Sequence, residues 1–256
     1  MISHALRRRI DEACESGNLL VATDFDGTLT PIVDKPGSAS LTGEAVEVLY
    51  RLSEKPGCTL MIASGRSLAD LRSRVPVPAI LAGNHGLEVE GPGLSFRHPD
   101  AVASSAKLAE VCGSIRAMAS RWSGALVEFK GLTATVHYRH VPDGERRELT
   151  RAVRRFVGVY GREFGLRAGK RALEIYPRVG WDKGSAVNWV RSQLGPGVVL
   201  CIGDDRTDEA MFRGCCGAVT IAVGSPRESA AEFLVGDSSE VLSVLSLVSA
   251  APMVSS

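Results

Sequence analysis

Short apolar runs alternate along the chain with segments in which apolar residues recur every three or four positions. Leu19 to Thr23, Thr59 to Ala63 and Ala79 to Ala82 read as strands buried on both faces, the last announced by Pro76 and Pro78. Between the first two, Ala45, Val48, Leu49 and Leu52 fall on one face of a helix. Val198 to Ile202 and Ala218 to Val223 repeat the strand type late in the chain. Strands alternating with helices predict an α/β fold, a parallel sheet covered by helices.

The pattern changes between these two groups. A helix is predicted around Ala101 to Trp122, followed by two strands within residues 125 to 139 that alternate about Gly131. The second of them puts Leu132, Ala134, Val136 and Tyr138 on one face and Thr133, Thr135, His137 and Arg139 on the other, so one face packs and the other is free to bind. A helix near Glu145 to Tyr160 and a strand near Leu173 to Tyr176 complete a small α/β unit. The chain therefore divides into a core of residues 1–103 and 178–256 and an inserted domain of residues 104–177. The Ser-rich tail after Val248 is expected to fray.

Composition narrows the function classes. With 256 residues, 45% of them hydrophobic and 23% charged, the chain has the make-up of a folded globular protein with a sizeable core. Thirty basic against 29 acidic side chains leave a formal net charge of +1, so no global pull toward nucleic acid or an anionic membrane exists, and any anion binding must be local. No run of about 18 apolar residues is present, which argues against a membrane span. Arg7, Arg8 and Arg9 are followed by Asp11, Glu12 and Glu15 where a signal peptide needs apolar residues. Cys14, Cys58, Cys112, Cys201, Cys215 and Cys216 show no Cys-x-x-Cys spacing and read as reduced thiols, so a cytoplasmic protein is expected.

Candidate chemistry gathers at strand ends. In Asp24-Phe25-Asp26-Gly27-Thr28 the two-residue period sends Asp24 and Asp26 to the same side, and Gly27 lets the chain leave the sheet sharply. Either acid could simply cap a turn. A second cluster, Gly203-Asp204-Asp205-Arg206-Thr207-Asp208-Glu209, follows another buried strand, and so many acids cannot all be caps. Oxygen ligands from two strand ends suit Mg²⁺, which keeps water and substrate phosphate in its remaining positions. Donors stand at other strand or helix ends: Ser64-Gly65-Arg66, whose hydroxyl and backbone amides could form an anion-binding corner or merely a helix cap, and Lys183 in Trp181-Asp182-Lys183-Gly184, which taken alone reads as a solvated lysine.

The order Asp-x-Asp-Gly-Thr, Ser, Lys, Gly-Asp-Asp-x-x-Asp resembles the haloacid dehalogenase superfamily, over nearly the whole chain and with the insertion placed as in members bearing a C2-type α/β cap. The resemblance implies a Rossmann-like parallel-sheet core. It also implies that Asp24 attacks phosphorus, that Asp26 acts as general acid and then base, and that Ser64 and Lys183 hold phosphoryl oxygens. Asp24, the Asp26 carbonyl and Asp204 would bind Mg²⁺, with Asp205 and Asp208 orienting the metal's waters or Lys183 from behind.

Three further segments resemble trehalose-6-phosphate phosphatases in particular. They are Gly83-Asn84-His85-Gly86-Leu87-Glu88, Glu128-Phe129-Lys130-Gly131 with His137-Tyr138-Arg139, and Gly169-Lys170 before Leu173-Glu174-Ile175-Tyr176-Pro177. Glu128 and Lys130 lie two apart on a strand, as do His137 and Arg139 on the next, and such a polar face can read sugar hydroxyls or be an ion pair on a solvated surface. The resemblance implies that Glu128, Lys130 and Glu174 grip the sugar. It places Gly65, Arg66, Asn84, His85, Arg139 and Lys170 near the ligand. The expected substrate is a small sugar phosphate, trehalose 6-phosphate, hydrolysed by a monomer in trehalose biosynthesis. Alternatives are a related phosphatase acting on sucrose phosphate or mannosyl phosphoglycerate, a sugar phosphomutase, or an inactive sugar-phosphate-binding module.

Overall fold

The computed structural model describes residues 2–33, 36–195, 197–225 and 228–253. The chain starts with α1 (His4–Glu15), then β1 (Leu19–Asp24), α2 (Gly43–Ser53), β2 (Cys58–Ala63), α3 (Leu68–Arg74), β3 (Ile80–Gly83), β4 (Glu88–Gly91) and β5 (Leu94–Arg97). It continues through α4 (Pro99–Ala119), β6 (Leu126–Phe129), β7 (Ala134–His137), α5 (Asp143–Gly158), β8 (Phe164–Gly169) and β9 (Ala172–Pro177). Last come α6 (Lys183–Leu194), β10 (Val198–Gly203), α7 (Glu209–Gly214), β11 (Val219–Val223), β12 (Phe233–Val235) and α8 (Ser238–Ala250). Most of the longer helices start where a short polar side chain accepts a backbone N–H of the first turn: Ser3, Thr42, Asp182 and Asp237 cap α1, α2, α6 and α8.

Two compact units result, one of residues Met1–Phe96 with Trp181–Ser256 and one of Arg97–Gly180, which contains residues 104–177. In the first, eight strands run in the order β12-β11-β10-β1-β2-β3-β4-β5. The strands from β12 to β3 pair in parallel, and β4 joins antiparallel. All six residues of β1 are buried, because its alternate side chains meet helices on both faces. Leu19 and Val21 face α1, α2 and α8 through Leu6, Ile10, Leu49, Leu52, Val244 and Leu245. Leu20 and Ala22 face α6 and α7 through Val187, Val190, Met211 and Phe212. Sealing β1 this way leaves only its carboxyl end for chemistry.

The second unit is a four-stranded antiparallel sheet, ordered β6-β7-β9-β8. Its apolar face, with Val127, Val136, Phe164, Leu173 and Ile175, packs on Leu108, Val111 and Ile115 of α4 and Leu149, Val153 and Val157 of α5. The opposite face carries Glu128, Thr135, Glu174 and Arg167, which stand in register across the four strands.

Several elements differ from expectation. The strand expected to reach Arg139 ends at His137, because its neighbours run no further, β6 starting opposite it at Leu126 and β9 at Ala172, and the Val141 N–H closes a turn on the Tyr138 carbonyl. Thr133 and Thr135, expected on a free face, are buried; Thr135 is a short side chain set between the longer Glu128 and Glu174. The tail past Val248 is tied down as far as it is described: α8 continues to Ala250, and Lys55 Nζ donates to the carbonyls of Val248 (2.6 Å), Ser249 (3.2 Å) and Ala251. Residues 254–256 of that tail lie outside the described residues. All six cysteines are free thiols.

Candidate active site

The register of three neighbouring strands builds the site. Asp24 pairs with Ala63 across β1 and β2, and Thr23 with Ile202 across β1 and β10. Asp24, Ser64 and Asp204 therefore emerge side by side, at the point where the sheet order turns outward in both directions from β1 and ligands of open α/β sheets bind. Gly27 then leaves the strand with φ +92°, and the Asp204 carboxylate occupies the space that a side chain there would need. Only glycine allows the two acidic loops to approach so closely.

Lys183 opens α6 and is 2% exposed, so it is no solvated lysine. Its Nζ donates to Asp24 Oδ1 at 2.6 Å and to Asp208 Oδ1 at 2.7 Å. The second oxygen of Asp208 accepts the Asp205 N–H at 2.9 Å, so Asp208 is committed to holding Lys183 and its own loop. Asp205 is exposed and turns toward that loop.

Three carboxylates gather here, since Asp24, Asp204 and Asp208 each present an oxygen within 4.8 Å of the others, and Lys183 is bonded to two of them. Burial pushes the Asp24 carboxyl well above its ordinary range, and neighbouring Asp208 and Asp204 add to this against Lys183. Burial acts to lower the Lys183 pKa, but Asp208 and Asp24 outweigh it and hold the ammonium above its ordinary value. The surplus negative charge fits a hard divalent cation bound through Asp24 and Asp204.

Asp26 does not share the lysine. Arg66 grips both its oxygens, Nε to Oδ2 at 2.7 Å and NH2 to Oδ1 at 2.6 Å, and its remaining nitrogen donates to Asp70 at 2.7 Å. Arg74 donates to both oxygens of Asp70 at 2.9 Å and to the Ala39 carbonyl at 2.6 Å. This ladder fixes the plane of the Asp26 carboxylate, and it occupies the Arg66 side chain expected near the ligand. Ser64 is 1% exposed and accepts the Arg66 N–H at 3.1 Å. It is not the cap of α3, since Ser67 accepts the Asp70 N–H there.

The loop after β3 laces onto the Ser64 loop. Asn84 N–H donates to the Arg66 carbonyl (2.6 Å) and His85 N–H to the Ser64 carbonyl (2.9 Å). The His85 ring covers Gly65, whose absent Cβ would stand 2.6 Å from Nε2. Asn84 is wholly buried, and its side-chain amide donates to Glu88, which also accepts the Leu68 N–H of α3. Asn84 thus positions the loop.

In the second unit Glu128 and Glu174 flank Thr135 in one row, and His137 lies 2.8 Å from Glu128. The remaining expected residues are not in that row. Lys130 sits in the turn after β6, at one end of the sheet, while Lys170 and Arg139 sit in turns at the other end. Asp70, Arg74, Glu88 and Arg167 were not anticipated. The spacing of Arg66, Asp70 and Arg74 at intervals of four was visible, although Arg66 precedes α3, as was the alternation of Phe164, Leu166 and Ala168 with Gly165, Arg167 and Gly169.

A parallel sheet with acids, serine and lysine brought together at its carboxyl end defines a haloacid dehalogenase-like core. The family model of the trehalose-phosphatases matches residues 22–223, and the chain belongs to that family. It is 38% identical over 198 residues to a trehalose-phosphate phosphatase of Mycobacterium avium (strain 104), a match covering 74% of this chain and 49% of that protein. It is 41% identical over 204 residues to a protein of Mycobacterium tuberculosis (strain ATCC 25618 / H37Rv) described as an uncharacterized glycosyl hydrolase, covering 75% of this chain and 15% of that one. The match thus spans about half the length of the former relative and a small part of the latter. Among solved structures, a trehalose-6-phosphate phosphatase related protein superposes with TM-score 0.80 at 25% identity, covering 90% of this chain and 96% of the other. The C-terminal domain of the trehalose-6-phosphate phosphatase of C. albicans shares the fold, with TM-score 0.79 at 24% identity over 96% of both chains.

Proposed function

We propose that this chain hydrolyses trehalose 6-phosphate to trehalose and inorganic phosphate through an aspartyl-phosphate on Asp24. The observation that carries the reaction class is the buried Lys183 bound between Asp24 and Asp208, beside Asp204 and at the strand ends. Membership of the trehalose-phosphatase family and the M. avium relative support the substrate.

In this reading an Asp24 oxygen attacks phosphorus, and the bond to the sugar oxygen breaks. For this step Arg66 lets go of one Asp26 oxygen, which carries the proton given to the sugar oxygen; Asp26 then takes a proton from the water that attacks the aspartyl-phosphate and frees Asp24. Lys183 and the Ser64 hydroxyl bind phosphoryl oxygens. Lys183 also keeps Asp24 close to its attacking position, since the two are already bonded. Asp24, the Asp26 carbonyl and Asp204 would hold Mg²⁺, which when bound offsets the like charges of nucleophile and phosphate. The second unit supplies substrate selection, Glu128 and Glu174 accepting from sugar hydroxyls, with Lys130 in the turn at one end of the sheet and Arg139 and Lys170 in turns at the other.

Six free thiols fit a cytoplasmic setting, and among the described residues no helix is long and apolar enough to cross a membrane. We read the active form as a monomer, which light scattering would check.

The deciding assay is phosphate release from trehalose 6-phosphate, sucrose 6-phosphate and glucose 6-phosphate, each with Mg²⁺ and with excess EDTA. Mg²⁺-dependent release from trehalose 6-phosphate alone is expected. Release from another ester instead would keep the mechanism and move the substrate, and silence on all three would leave a binding module.

A further inference from the structure

Arg167 of β8 stands in register with Glu174 of β9 on the polar face of the four-stranded sheet. It donates to one carboxylate oxygen of Glu174, Oε2, from Nε at 2.9 Å and from NH2 at 2.7 Å. Its guanidinium lies 4.9 Å over the centre of the Tyr176 ring. That ring in turn takes the space beside Gly165, so near that a Cβ there would stand 2.6 Å from the tyrosine hydroxyl oxygen. The three form a stack in which the glycine makes room for the ring, the ring supports the guanidinium, and the guanidinium holds the carboxylate.

This stack faces away from α4 and α5, so it adds nothing to the apolar core of the unit. Glu174 is only 13% exposed, and Arg167 is 33% exposed. Across Thr135 the row continues to Glu128, about 9–10 Å from Glu174 at the backbone by the usual strand spacing. Two carboxylates on either side of a short residue form a trough with an acceptor on each wall. An acceptor held still before the ligand arrives loses little rotamer freedom on binding.

We propose that Arg167, supported by Tyr176 beside Gly165, is a positioning residue that fixes the Glu174 carboxylate as an acceptor for sugar hydroxyls and so sets preference for the sugar part of the substrate. The inference rests on the reading that this polar face meets the sugar. Arg167 acts through Glu174, and its loss therefore weakens recognition of the sugar while leaving phosphoryl transfer alone.

The test compares trehalose 6-phosphate with p-nitrophenyl phosphate, an ester without a sugar, for wild type, Arg167→Ala, Arg167→Lys, Glu174→Gln and the Arg167→Ala/Glu174→Gln double variant, with thermal unfolding of each. Arg167→Ala is expected to raise KM for trehalose 6-phosphate about tenfold and to leave kcat/KM for p-nitrophenyl phosphate within about twofold. Arg167→Lys should recover part of the loss, and the double variant should be no worse than Glu174→Gln alone. Unchanged KM for the sugar ester in Arg167→Ala, equal losses on both esters, or additive losses in the double variant would overturn the inference while wild-type activity upholds the substrate. Wild-type turnover of p-nitrophenyl phosphate without turnover of trehalose 6-phosphate would overturn the substrate reading, and this inference with it.

Discussion

Lys183 shows what a single buried charge does in this protein. It is enclosed with Asp24 and Asp208, so removing it leaves two acids buried without their cation. Lys183→Met should lower phosphate release by at least about 100-fold and destabilise the fold by about 3 kcal/mol, read by urea unfolding. Mg²⁺ should restore part of the stability and none of the activity. Asp70 offers a second test with a definite sign. Burial acts to raise its carboxyl pKa, but hydrogen bonds from Arg74 and Arg66 outweigh that and hold it below the ordinary value. A depressed folded pKa gives stability that is present above the unfolded value and lost as pH falls through the folded one. The stability gap between wild type and Asp70→Asn should accordingly be widest near pH 7 and close below about pH 4. A gap that stayed constant down to pH 3 would refute the ion-pair origin. Lys183, Asp24, Asp208, Asp26 and Arg66 were readable as candidates in the sequence, Asp70 and Arg74 were not, and no partner was. Arg66 and Asp26 are forty positions apart, and nothing in either segment says which carboxylate the guanidinium takes.

At the scale of elements, the loops after β2 and β3 are held as one piece by Glu88. Its carboxylate accepts the Leu68 N–H at 2.8 Å, at the positive end of α3, and the Asn84 amide at 2.7 Å. Glu88→Ala takes the acceptor away from both donors, and should cost about 2–3 kcal/mol by chemical unfolding, with kcat lowered because the Ser64 loop loosens. An unaffected midpoint would mean that the loops are held by their backbone bonds alone. The strands buried on both faces were legible because an unbroken apolar run has few other uses; β1, β2, β10 and β11 fell within one residue or so of their expected ends. β8 was missed because two glycines and an arginine dilute its alternation, and β12 because three residues give too short a pattern. The expected alternation through Arg139 failed for a tertiary reason: both neighbouring strands start opposite His137, at Leu126 and Ala172, so the chain beyond has no strand to pair with and turns.

For the whole molecule, two units with separate hydrophobic cores suggest separable functions. Substitutions in the first unit should abolish turnover of every ester, whereas those on the polar face of the second should spare an ester without a sugar. Asp204→Asn is expected to eliminate the rise in unfolding temperature that Mg²⁺ gives to the wild type, and Glu128→Ala to keep that rise while losing preference for trehalose 6-phosphate. A Mg²⁺ shift preserved in Asp204→Asn would remove that acid from the metal site, and unchanged preference in Glu128→Ala would remove the other from sugar recognition. The alternation of buried strands with helices, and the position of acids, serine and lysine at their ends, follow from the order of residues alone. A continuously apolar run admits no charge, so ionisable residues must wait for the point where the chain leaves the sheet. That Lys183 serves Asp24 and Asp208, that Arg66 serves Asp26, and that Glu128, Thr135, Glu174 and Arg167 form one row emerges with the folded chain. Those pairings depend on strand register and helix placement, which are set by contacts between residues far apart in the chain.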